Sequence, residues 1–89
     1  MAKNEKYIFS KFKILNGGFE YSELSIHAIP KISSTEKFVR DYASNFYDDG
    51  EMYDGNRDKY EFNGGEVIVE VKDFKEISKE DYDVLVKYL

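Results

Sequence analysis

Apolar and polar side chains alternate over residues 6–15 (KYIFSKFKIL), with Ile8, Phe12 and Ile14 at even positions and Tyr7 and Phe9 opposite them among lysines. β-Branched and aromatic residues at period two predict a strand. Asn16-Gly17-Gly18 interrupts it, and Asn-Gly supplies the positive φ values that a tight hairpin demands. A return strand from Phe19 to about Ile29 would turn Leu24, Ile26 and Ala28 to the core and Glu23, Ser25 and His27 to water, the alternation of a sheet with one wet face. Pro30 ends it.

The period then changes. Ser33 with Glu36 three residues on reads as a capping box, and Phe38, Val39, Tyr42, Ala43, Phe46 and Tyr47 recur as one helical stripe that would stop near Gly50. A second hairpin is expected over residues 59–74: Tyr60 and Phe62 lead into Asn63-Gly64-Gly65, followed by Val67, Val69 and Val71 at alternate positions. Ser78, with Asp81 as the third helical residue, then opens a helix whose apolar positions are Tyr82, Leu85, Val86 and Leu89.

Strand, NGG, strand, Ile-Ser, helix thus occurs twice, with Asn16 and Ile32 sixteen positions apart and Asn63 and Ile77 fourteen. The difference is even, and an even change preserves the buried face of a strand. The expectation is an α+β fold in a single domain, residues 1–89: a ββα-ββα pseudo-repeat forming a four-stranded, mainly antiparallel sheet with both helices on one face. Its core would draw on Leu24, Ile26, Phe38, Tyr42, Phe46, Val67, Val69, Val71, Tyr82 and Leu85.

A chain of 89 residues buries only about 60–65% of its unfolded surface. Seven Phe and eight Tyr help it to build a core, since each ring buries roughly 150–250 Å² for few rotatable bonds. With no cysteine there is neither a disulfide framework nor a thiolate metal site, which fits a reducing compartment. No apolar run approaches the roughly 18 residues of a membrane span, so a soluble cytoplasmic protein is expected.

Charge sharpens the picture. The net charge is −5 and unevenly spread: residues 1–40 hold seven Lys/Arg against four Asp/Glu, and residues 41–89 hold six against fourteen. An acidic surface repels phosphates, which disfavours direct nucleic-acid binding and favours a basic protein partner.

Candidate chemistry is sparse. His27, the one histidine, shares a strand with Ser25 and Glu23. Residues two apart on a strand stand parallel at roughly 6.5–7 Å, so the serine cannot pass its proton to the imidazole, and His27 reads as a surface or edge histidine. Asp54, Asn56 and Asp58 open like a calcium loop, but Lys59 stands where the sharp turn needs Gly and Gly65 where the cage needs a bidentate Glu. With one His and no Cys, zinc and iron sites are not expected, and no phosphate-binding glycine loop is present, so no metal or cofactor is expected. Tyr7, Phe9, Tyr21 and Tyr60 could form a base-stacking platform, but only Lys6, Lys11 and Lys13 would supply its cations.

The most distinctive stretch is residues 46–66, FYDDGEMYDGNRDKYEFNGGE, where seven acidic residues and three tyrosines stand against only Arg57 and Lys59. Tyrosines set among carboxylates are anchors in an anionic field, suited to a basic groove on another protein. The expected partner-binding residues are Tyr47, Asp48, Asp49, Glu51, Tyr53, Asp54, Asp58, Tyr60 and Glu61. In size, in its Lys/Asn/Tyr/Glu-rich composition and in charge layout the chain resembles the small, acidic, cysteine-free anti-defence proteins of bacteriophages, the anti-CRISPR and anti-restriction inhibitors. The resemblance implies a non-enzymatic inhibitor that occupies a nucleic-acid-binding site on a CRISPR effector or other nuclease in the host cytoplasm. The +3 amino-terminal part departs from a uniformly acidic nucleic-acid mimic. The alternative is a generic α+β accessory module, with a homodimer left open, whose acidic stretch is only solvated.

Overall fold

A computed structural model describes residues 4–47 and 50–89. In chain order the elements are β1 (Glu5–Asn16), β2 (Phe19–Pro30), α1 (Thr35–Ser44), β3 (Glu51–Tyr53), β4 (Asn56–Phe62), β5 (Val67–Ile77) and α2 (Lys79–Leu85). The strands form one five-stranded antiparallel sheet in the order β2-β1-β5-β4-β3. The fold is α+β with two helices, as expected, but the sheet has five strands and not four. The additional strand, β3, lies within the acidic stretch.

β1 lies between β2 and β5, so one of its faces can be fully covered. Ile8, Ser10, Phe12 and Ile14 are all buried, which matches the even-numbered pattern. The Asn16-Gly17-Gly18 turn forms as expected: Gly17 and Gly18 adopt φ of +56° and +94°, and Asn16 pairs with Phe19 across a two-residue loop. That closure fixes the register of β2, placing Ile14 opposite Tyr21, Phe12 opposite Glu23, Ser10 opposite Ser25 and Ile8 opposite His27. Residues directly opposite share a face, so the odd side chains of β2 lie over the core. The expected orientation of this strand is therefore reversed. Leu24 is 45% exposed, whereas Ile29 is buried and Ser25 and His27 are half-buried.

α1 is capped by Ser34, one residue later than expected, whose hydroxyl accepts from the Lys37 N–H at 3.2 Å. Glu36 does not complete a capping box and instead pairs with Arg40 one turn on. Val39 and Ala43 point into the core, flanked by Phe38, Tyr42 and Phe46. They meet Val69, Val71, Tyr60 and Phe62, and Phe12 lies 5.4 Å from Tyr42 and 5.9 Å from Phe46 between ring centroids.

α2 is capped as expected, with the Ser78 hydroxyl accepting from the Asp81 N–H at 3.0 Å. It packs on the opposite face of the sheet: Tyr82 lies 4.7 Å from Tyr7, and Tyr7 alternates with the buried Ile8. The helices do not share a face. The cause is a bulge in β5, where Lys11 pairs with Asp73 but Phe12 with Val71, leaving Lys72 as an extra residue. One extra residue exchanges the faces of everything beyond it. Val67, Val69 and Val71 thus point towards α1, Phe74 takes over that face after the bulge, and Ile77 opposite Tyr7 leads α2 to the other side. Tyr82 and Leu85 are only half-buried there. The two halves are therefore not equivalent, and the NGG turns differ too. The second closes as a 3₁₀ turn (Asn63–Gly65) with Phe62 paired to Val67. Among the described residues no helix is long and apolar enough to cross a membrane.

Candidate interaction surface

The acidic stretch folds into a hairpin at the edge of the sheet. Asp54 and Gly55 adopt φ of +53° and +70°, the two positive values of a tight turn, and join β3 to β4 with Tyr53 opposite Asn56. Asp-Gly is a strong short-range hairpin signal, and it stands plainly in the sequence. The D-x-N-x-D spacing around it has a local structural role: the Asn56 side-chain oxygen accepts from the Asp58 N–H at 2.8 Å, bracing the turn. The β3–β4 register jumps between Met52, opposite Tyr60, and Tyr53. Arg57, Asp58 and Lys59 consequently have no opposing residue on β3.

The hairpin carries six of the nine expected binding residues and distributes them between two faces. Tyr60 points under α1 and is 8% exposed, a core residue that burial makes harder to ionise. It is not an available anchor, and neither is Asp58 a free carboxylate. Asp58 accepts from the Arg40 Nε at 3.1 Å, tying β4 to α1, and this bond together with the pairing to Glu36 holds the guanidinium pKa above its ordinary value. Tyr47 packs its ring on Phe46 and Phe62 at 5.0 and 5.6 Å. Its hydroxyl bonds that of Tyr21 at 3.3 Å, and this bond, with burial, pushes its pKa up to about 12. Tyr47, 45% exposed, thus ties the segment that follows α1 to β2. Asp48 and Asp49 lie outside the described residues.

The other four residues share the opposite side of the hairpin or its tip. Glu51 and Glu61 sit directly opposite each other. Tyr53, 37% exposed, stands on the same row, with the Lys59 ammonium 6.0 Å from its ring centroid. Asp54 caps the tip and is exposed. Among the described residues Glu51, Asp54 and Glu61 form no ion pair, unlike Asp41, Asp58 and Asp83.

Tyr7 and Phe9 lie on the α2 side of the sheet and Tyr21 and Tyr60 on the α1 side, so they make no common stacking platform. His27 is on an edge strand but is turned to the α1 side of the sheet and half-buried. Its ring packs edge-on against Phe38 at 5.1 Å and Tyr42 at 4.7 Å, and burial lowers its pKa. Among the described residues no group of three or more His, Asp or Glu is placed to hold a metal ion. Comparison with known proteins returns no matching family model, no matching characterised protein and no matching solved structure.

Proposed function

We propose that this chain is a non-enzymatic inhibitor that offers the outward row of the β3–β4 hairpin, Glu51, Tyr53 and Glu61 with Asp54 at its tip, to a basic nucleic-acid-binding site on another protein. A groove of the kind that CRISPR effectors and other nucleases use to hold a phosphate backbone fits this surface. The observation that carries the reading is the Glu51–Glu61 pair. Like charges directly opposite on neighbouring strands are destabilising, and among the described residues neither carboxylate has a basic nitrogen within ion-pairing distance. A cationic partner surface would relieve the repulsion on binding, so the carboxylates favour association more than they favour the fold. Tyr53 supplies a rigid, amphipathic ring at the centre of the row, the residue type enriched at binding hot spots.

The test is competition. Proteins retained by the immobilised chain from lysate of the cell in which it is expressed should include a nucleic-acid-binding protein that duplex DNA or RNA displaces. The free chain should in turn block that protein's own nucleic-acid binding in a gel-shift assay. Retention that nucleic acid leaves unchanged would favour the plain accessory-module reading instead.

A further inference from the structure

The two edges of the sheet are unlike. The β3 edge is three residues long and is broken by a register jump, features that discourage another strand from pairing there. The β2 edge is twelve residues long and keeps register with β1 through all twelve pairs without a bulge. α1 lies mainly over β5 and β4 and touches β2 through Phe38 and Tyr42 on His27, on the face of the sheet, and among the described residues no strand pairs with the outer side of β2.

The direction of the β2 amides follows from the turn. In a two-residue hairpin the closing pair, here Asn16 and Phe19, exchanges both backbone hydrogen bonds, and bonded pairs then recur at every second residue. Odd residues of β2 therefore point their N–H and C=O groups to β1. The far end agrees, since the Lys31 N–H donates to the Asn4 carbonyl at 2.6 Å. Glu20, Ser22, Leu24, Ile26 and Ala28 are left with both backbone groups aimed outward, whereas Pro30 offers only its carbonyl. The only two buried side-chain polar atoms without a partner among the described residues, Ser25 Oγ and His27 Nδ1, also belong to this strand.

Symmetry restricts what a second copy of β2 can do. Outward residues must meet outward residues, so an antiparallel pair has its two-fold axis through a single residue. An axis at Glu23 sets two carboxylates together, and one at His27 sets two imidazoles together. An axis at Leu24 puts Glu23 opposite Ser25, and one at Ile26 puts it opposite Ile29. An axis at Ser25 is different: Glu23 of each copy meets His27 of the other, Ser25 meets its own equivalent, and Leu24 meets Ile26 on the opposite face. This register also spans the whole edge, from Glu20 to Pro30, and ends where proline lacks an N–H. Glu23–His27 and Ser25–Ser25 fall at the non-hydrogen-bonded positions, where side chains approach most closely.

We propose that β2 pairs with β2 of a second copy of this chain about an axis through Ser25, joining two five-stranded sheets into one continuous sheet. The two acidic hairpins then lie at opposite ends, on the order of 40 Å apart at ordinary strand spacing. The β3–β4 hairpin takes no part in this contact, so the pairing and the proposed inhibitory role stand or fall separately.

The absence of cysteine allows a direct test on the full chain. Sedimentation velocity should show a concentration-dependent dimer. Under mild oxidation Ser25→Cys should cross-link to itself, because only the axial position brings like residues face to face, while Ser22→Cys and Ile26→Cys should stay uncross-linked. Leu24→Pro removes an outward N–H twice across the axis without touching the β1 ladder, and should raise the dimer Kd about tenfold or more while leaving the monomer folded by circular dichroism. A chain that remains monomeric at every concentration overturns the proposal. So does a dimer whose cross-linking is strongest at another position of β2.

Discussion

The imidazole of His27 meets the ring of Tyr42 edge-on, centroids 4.7 Å apart, with Phe38 closing a second side at 5.1 Å. A residue on the edge strand is thereby drawn into the aromatic row of α1, and the chain's one histidine becomes part of its packing.

Stability should respond to pH through that contact. Burial lowers the His27 pKa below 6.5 in the folded chain, so the unfolded chain binds the proton more readily. Stability must then rise with pH across this interval. It is fully present above about 6.5, and declines as pH falls from there through the lower folded value. Chemical denaturation of dilute chain, where monomer prevails, should show the decline, and His27→Gln should flatten it. A single histidine makes the NMR titration unambiguous.

Leu24 and Ile14 should respond very differently to truncation. Ile14 is fully buried whereas Leu24 is 45% exposed. Ile14→Ala is expected to cost about 2–5 kcal/mol and Leu24→Ala about 1 kcal/mol or less, measured by urea unfolding of dilute chain. The composition of β2 alone points the other way, since Leu24, Ile26 and Ala28 form its smoother apolar row. What decides the face is the turn. A two-residue Gly17-Gly18 loop places odd positions of β2 against the even, strongly apolar positions of β1. Both signals are legible in the sequence, and together they outweigh the local pattern.

Gly17 and Gly50 are needed for different reasons, and one pair of substitutions separates them. A side chain at Gly17 meets nothing within 4 Å, and the constraint is φ of +56°. At Gly50 an added Cβ would stand 2.5 Å from the Phe62 ring and 2.8 Å from the Ser44 carbonyl oxygen. Gly17→Val should cost at least about 1 kcal/mol, and Gly17→Asn much less, because Asn tolerates the left-handed region. Gly50→Ala and Gly50→Asn should both be destabilising, the larger residue more so, in thermal melts.

Several parts of the architecture follow from local signals and others do not. The NGG turns, the stripe over Phe38–Phe46 positions and the Ser78 cap are each written in a few adjacent residues. The Asp54-Gly55 turn is equally local, but the acidic spacing around it suggests an open connection and hides the hairpin. The bulge at Lys72 leaves no comparable trace. It depends on how β5 meets β1 across the sheet, and it sends α2 to the opposite face despite the even spacing that suggested a repeat. Within the site, the density of carboxylates is visible in the sequence, but which of them are already engaged is not. Arg40, eighteen residues from Asp58, decides that by packing.

The central claim, that the outward row of the β3–β4 hairpin is the binding element, is tested most directly by a charge-reversal comparison. One variant carries Glu51→Lys, Asp54→Lys and Glu61→Lys. The other carries Glu76→Lys, Glu80→Lys and Asp83→Lys around α2 and changes the net charge by the same amount. Association and dissociation rates with the partner recovered by capture are measured for both variants across a salt series. Contacts between solvent-exposed charges are screened beyond about 8 Å at physiological ionic strength. The hairpin variant should therefore lose binding mainly through a slower, less salt-dependent association rate, while the α2 variant stays close to the unmodified chain. Equal weakening by the two variants, or none by either, would contradict the claim.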